Sequence, residues 1–282
     1  LPTGPTARSQ ARVNLYLIGD SFSEPERIGP RDFPANYFLR TKWENQNRVQ
    51  LDTTTRNVLI IETVERHFRD HFSQPVTSLV VVPDTTQKPD PPTLTPGQRL
   101  RAIADLIQPS AVVEERLETL LFGHPWALWW KEQKAGFNLA VFDRANPKVG
   151  LSRDREHVFV GLDTDTTTGK TSSFTPLPDV ELDQYIDSLN AVYDRYRASG
   201  FDAVYLSIIP NKVTLIAPDL GSYNHLIERI QQHPRLRMPV IDVYSIYRKT
   251  SQPIYAIGDS HWNCTGRAIW LQAINERLAT DN

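Results

Sequence analysis

The chain predicts an α/β fold: an open, mostly parallel sheet with helices on both faces. Three observations predict it. Short apolar runs rich in β-branched residues alternate with amphipathic helical stretches toward both ends of the chain. Two of the apolar runs stop at the same tripeptide, Gly19-Asp20-Ser21 and Gly258-Asp259-Ser260, as buried strands do when they turn at a sheet edge. No internal repeat of solenoid period is visible.

Taken in order, residues 13–18 form the first strand, closed by the Gly19 turn. Pro25 and Pro30 prevent a long helix over 24–32, and a short helix is expected over 33–43. Residues 57–61 make a second buried strand that feeds directly into a helix over 62–72, with Val64, Phe68 and Phe72 on one face. A third strand is expected over 77–82. Residues 83–97 hold Pro83, Pro89, Pro91, Pro92 and Pro96 among polar neighbours, which predicts an exposed linker. Two helical patterns share 98–122, parted near Pro109-Ser110; strands follow over 137–142 and 157–160, then a threonine-rich loop over 164–173. Residues 178–199 form a long helix with Leu182, Ile186, Leu189, Val192 and Tyr193 inward, and Gly200 stops it. A strand over 201–209, a helix over 220–232, a strand over 239–243, a short run over 255–257 and a helix over 263–278 close the chain. The domain expectation is a polar leader over 1–12 and one α/β domain over 13–282, with 83–150 as linker and helical insertion.

Composition excludes several classes. With 31 basic and 33 acidic residues the net charge is −2, so no basic face for nucleic acid or anionic lipid is evident. A single cysteine, Cys264, excludes an internal disulfide framework and a cysteine-rich zinc site. No apolar run reaches the ~18 residues needed to span a bilayer. The chain starts at Leu1, and a signal or anchor upstream of it is expected. A monomer is expected.

The two glycine turns carry the chemistry. A serine at a strand's carboxyl edge sits where open sheets place ligands, near free backbone N–H groups suited to an oxyanion. Asp259 and His261 are two apart, so on an extended segment their side chains point the same way. The expected triad is Ser21 as nucleophile, His261 as general base and Asp259 as the group that fixes its tautomer. Ser260 competes as nucleophile, but it lies between the acid and the base and cannot easily face His261. The Ser21 N–H is one oxyanion candidate. Asn211 is the other, with a plain turn residue before Lys212 as its alternative.

Gly19-Asp20-Ser21-Phe22-Ser23 resembles the nucleophile block of the SGNH hydrolase superfamily. Asp259-Ser260-His261-Trp262-Asn263, with Gly266, resembles the Asp-x-His-Trp block of its alginate O-acetyltransferase group. Val58-Leu59-Ile60-Ile61-Glu62-Thr63-Val64-Glu65-Arg66 resembles that group's strand ending in a Glu-Arg pair. Ile208-Ile209-Pro210-Asn211-Lys212 resembles its Pro-x-Lys strand end. The blocks are permuted relative to that group, with the serine first, as in ordinary SGNH esterases. A circular permutation would account for this, because a parallel sheet with neighbouring termini can be reopened elsewhere. The two-residue Asp–His spacing, against three in typical SGNH esterases, favours the acetyltransferase side.

The resemblance implies an SGNH-like sheet and transfer or removal of an acyl group, usually acetyl, on a polysaccharide hydroxyl outside the cytoplasm. It implies a polysaccharide acceptor, an acyl donor and room for a membrane-bound acyl-transfer partner, with no cofactor. A carbohydrate acetylesterase and a non-catalytic glycan-binding or scaffold protein stay open as alternatives. Glu62, Glu65 and Arg66 are expected to wall the site or to form a helix-start ion pair. His67 and His71 stand at i and i+4, but no third ligand is evident and Glu62 is not in zincin spacing, so no metal is expected. Trp126, Trp129 and Trp130 are a sugar platform or helix-packing aromatics. Trp262 is expected to pack its loop, Cys264 to be a buried small residue, and 164–173 to be a solvated loop or cleft rim.

Overall fold

The computed structural model describes residues 13–82 and 149–280, apart from 155 and 168. The leader, the proline-rich linker, the two helical patterns, the strand at 137–142 and the three neighbouring tryptophans lie outside the described residues. The described part is an α/β unit whose main sheet has four parallel strands. They are β1 (Val13–Gly19), β2 (Tyr37–Lys42), β4 (Arg56–Val64) and β8 (Ala203–Ile209), in the order β2-β1-β4-β8. Two small pairs flank it: β3 (Asn47–Val49) with β5 (Leu79–Val81), parallel, and β6 (Val149–Leu151) with β7 (Val158–Val160), antiparallel.

Alternation along the strands builds two cores. Tyr16 and Ile18, Leu59 and Ile61, and Val204, Leu206 and Ile208 face one side. There they meet Phe68 and Phe72 of α1 (Glu65–Ser73), the inner stripe of α3 (Asp179–Ala198), and α5 (Leu226–Gln231). Leu15 and Leu17, Val58 and Ile60, and Tyr205 and Ile209 face the other. There they pack on α6 (Val243–Lys249) and α7 (Cys264–Thr280), with Trp270 fully buried. Strands buried on both faces explain why the sequence shows near-continuous apolar runs rather than alternation. Two short α-helices, α2 (Gly161–Thr164) and α4 (Lys212–Ile216), and three 3₁₀ turns complete the described elements.

Several expectations are corrected. Residues 37–42 are an edge strand, not a helix: β2 pairs with β1 from Asn14↔Tyr37 to Gly19↔Lys42, and sheet pairing overrides a locally ambiguous sequence. β4 runs on to Val64 because β8 pairs with it as far as Val64↔Ile209, so Glu62 lies in the sheet and α1 starts three residues later than expected, at Glu65. Residues 239–243 give only a single bridge, Leu206↔Val240, and the chain turns into α6, capped by Asp242 accepting from the Ser245 N–H at 2.9 Å. The expected helix over 220–232 shortens to α5, entered through His225 in the left-handed region. Tyr255 bridges Trp262 within one loop, so the second Gly-Asp-Ser turn tops a short hairpin rather than a sheet strand. The loop after Thr164 is solvated over Thr166, Thr167, Gly169 and Lys170, as expected, but its end, Ser172 and Ser173, is buried.

Helix α7 is fastened to that hairpin. Asn263 caps it, its Oδ1 accepting from the Thr265 and Gly266 N–H groups at 2.9 and 3.1 Å, while its Nδ2 donates to Pro253 O at 2.8 Å. The approach is so close that a Cβ on Gly266 would lie 2.3 Å from the Ile254 carbonyl oxygen. Gly266→Ala is therefore expected to destabilise by ~2–3 kcal/mol despite alanine's better helix propensity, read as a lower urea midpoint at unchanged slope.

Candidate functional site

The sheet order fixes where a ligand can sit. From β1 the chain crosses to β2 on one side, whereas from β4 it proceeds to β8 on the other. The crevice outside the carboxyl ends of β1 and β4 is thus the topological switch point. Ser21 stands there, directly after β1, on a single 3₁₀ turn (Ser21–Ser23) rather than a long helix.

The hairpin brings His261 to the same place. Its Nε2 lies 2.9 Å from Ser21 Oγ, joining residues 240 positions apart. Its Nδ1 lies 2.9 Å from Asp259 Oδ1. The carboxylate accepts only, so Nδ1 carries the proton and Nε2 presents a lone pair to the serine O–H. The His261 hydrogen bond holds the Asp259 carboxyl well below the usual range, against the opposing effect of its partial burial. Phe22 packs on the imidazole, ring centroids 4.8 Å apart, and Trp262 packs edge-on against Phe22 at 5.1 Å. Trp262 is buried and packs this loop. Ser260 is buried too, and the His261 Nε2 faces Ser21.

Lys212 anchors the hairpin. It is buried, and its ammonium donates to four carbonyls: Ala256 and Ile257 at 2.6 Å, Val158 at 3.0 Å and Asp259 at 3.2 Å. Burial lowers its pKa, and the Asp259 charge resists the shift. Lys212, read in the sequence as part of a strand-end signature, thus holds the Asp259–His261 hairpin in position.

Both ends of the Asn211 amide have partners other than Ser21. It is fully buried, with Oδ1 accepting from the Arg66 N–H at 3.2 Å and Nδ2 donating to Ser173 Oγ at 2.9 Å. As an oxyanion candidate it is corrected to an interior clamp between α1 and the 172–173 loop. The Ser21 N–H is at the site but donates weakly to Asp20 Oδ1 at 3.3 Å, so it would have to exchange that partner for an oxyanion. Cys264 is exposed, not buried as expected, because it opens α7 on the solvent side.

The glutamates at the end of β4 and the start of α1 make structural contacts. Glu65 Oε2 accepts from the Asn211 N–H at 2.9 Å and from Thr214 Oγ1 at 2.7 Å, and Arg66 pairs with buried Asp163 at 3.4 Å. Burial raises Glu65 to about 7. Glu62 accepts from Ser23 Oγ at 2.7 Å and from the Asp20 N–H at 2.8 Å, so it fastens the turn that carries Ser21. Its burial, reinforced by the Asp20 charge, raises it to about 8. A Cβ on Gly19 would fall 2.0 Å from Ser23 Oγ, so only glycine leaves room for this fastening.

One constellation escaped the sequence. Asp20 meets His67, with both carboxylate oxygens 3.0 Å from Nδ1, across 47 positions. Burial pushes Asp20 up, but the His67 hydrogen bond and charge outweigh it and its pKa is lowered. The His pair is visible as an i, i+4 spacing; the carboxylate that completes it comes from the turn after β1, and no local pattern announces it. No protein-family model, curated protein or solved structure matches this chain.

Proposed function

We propose that this chain is a serine-dependent O-acyltransferase of SGNH type, moving an acyl group, acetyl foremost, onto a polysaccharide hydroxyl outside the cytoplasm. The observation that carries the proposal is the 2.9 Å contact of Ser21 Oγ with His261 Nε2 at the switch point, with Asp259 on the far nitrogen. Ser21 Oγ attacks the donor ester carbonyl as its proton passes to His261 Nε2. The tetrahedral intermediate expels the donor alcohol, which takes that proton, and an acyl-Ser21 ester remains. A sugar hydroxyl then gives its proton to His261 and attacks the acyl carbon; Ser21 leaves and recovers the proton. The contact favours this scheme over a scaffold that has lost turnover, because a fold alone has no need to align all three groups.

The resemblance supplies the acyl and glycan classes and the room for a membrane-bound partner that delivers the acyl group. No helix among the described residues is long and apolar enough to cross a membrane. A second activity of the same site, carbohydrate acetylester hydrolysis, is favoured by one observation: the Asp259 side chain is 51% exposed, so water reaches the rim of the triad. Incubation with an activated acetyl ester, with and without a soluble oligosaccharide, separates the two. Acetyl recovered on sugar is the expected result; acetate alone, at a rate the sugar does not change, would assign hydrolysis instead.

A further inference from the structure

Helix α1 aims two imidazoles at the end of β1. His67 and His71 are one turn apart, and Asp20 approaches from the turn after that strand. One donor atom from each of the three lies within 4.8 Å of the other two. His67 Nδ1 and the Asp20 oxygens are 3.0 Å apart, near the ~3.3 Å that separates tetrahedral ligands on zinc at ~2.0–2.1 Å.

The outer shell is in place as well. His71 Nδ1 lies 2.8 Å from Thr63 Oγ1, whose own proton has an acceptor in Val64 O at 3.3 Å. In the tautomer that donates Nδ1–H to Thr63, the other ring nitrogen keeps its lone pair for a metal. Metal-binding histidines are commonly held in this way, by a hydrogen bond on the non-ligating nitrogen. Trp43 stacks on the same ring, centroids 3.9 Å apart and 11° from parallel, and fixes its plane. His67 is 35% exposed, which gives an ion a route in.

We propose that Asp20, His67 and His71 form a binding site for a divalent transition metal of the zinc class. Two imidazole nitrogens and one carboxylate suit zinc, cobalt or nickel, whereas magnesium and calcium prefer all-oxygen shells. Three protein ligands leave at least one coordination position for water or an added ligand. The site shares one contact with Ser21, whose N–H donates to Asp20 Oδ1 at 3.3 Å, while the Ser21 hydroxyl turns to His261.

The test is calorimetric titration of the chain with zinc chloride in a non-chelating buffer, backed by the visible absorption of the cobalt(II) form. One zinc per chain is expected, with zinc raising the melting temperature. His67→Gln and His71→Gln should each weaken binding at least tenfold and abolish the zinc-dependent rise in melting temperature. Ser21→Ala and His233→Gln should bind as the parent does. His67→Gln loses the imidazole bond to Asp20 and should melt somewhat below the parent without zinc, but its side chain is partly exposed and the variant should fold, so it keeps the test decisive if His71→Gln folds poorly. Absence of stoichiometric binding, or binding that survives His67→Gln in a folded protein, would overturn the proposal.

Discussion

Ser21→Ala is expected to lower kcat for an activated acetyl ester by at least ~10³-fold, leaving KM and the melting temperature nearly unchanged. Under the proposed mechanism triad members act as a unit, so losing the Ser21 hydroxyl removes the acyl-enzyme route and leaves only what binding and backbone donors supply. The side chain is small and its only direct role visible here is the 2.9 Å bond to His261 Nε2, so folding loses little. His261→Ala should produce a loss of the same order, and the double variant should be no worse than either single one. A double variant whose losses multiply would mean that the two side chains work in separate processes.

Lys212→Met is expected to have the second largest effect, on stability and turnover together. The substitution keeps the length of the side chain but strips a buried ammonium from four carbonyl oxygens, three of them in the hairpin. A carbonyl left buried and unpaired costs ~1–3 kcal/mol; Ile257 O keeps the Val158 N–H, and Ile257 and Asp259 lie at the surface where water replaces the ammonium, so a loss of ~2–4 kcal/mol is expected. Turnover should fall further than stability alone explains. Three of the four carbonyls belong to residues 256, 257 and 259, and a shift of the imidazole by ~1 Å costs ~10²-fold in rate. The readout is kcat measured well below the variant's melting temperature. A folded Lys212→Met protein with parental kcat would show that the hairpin keeps its shape without the lysine.

Much of this site was legible because its parts are local. An apolar strand ending in Gly-Asp-Ser is a contiguous signal, and the Asp259–His261 spacing needs only neighbouring residues. The face alternation of β1, β4 and β8 was hidden by their burial on both sides, yet burial itself marked them as strands. The failures have a common cause in long-range contacts. Tyr37–Lys42 pairs with β1, and that pairing, not its composition, makes it a strand. Asn211 looked like a donor at a strand end, but Arg66 and Ser173 claim both ends of its amide from elsewhere in the chain. Helix α6 did carry a local sign, the Asp242 cap three residues before Ser245, which an apolar strand-like run just upstream masked. Asp20 reads as a turn residue until the fold places it against His67.

The most direct test is peptide mass spectrometry after brief exposure to a fluorophosphonate. The parent protein should carry a single covalent adduct, on the peptide containing Ser21. In His261→Ala the same peptide should remain unmodified over the same time, because the hydroxyl no longer has its base. An adduct on Ser260 in place of Ser21, or equal modification of Ser21 with and without His261, would contradict the account.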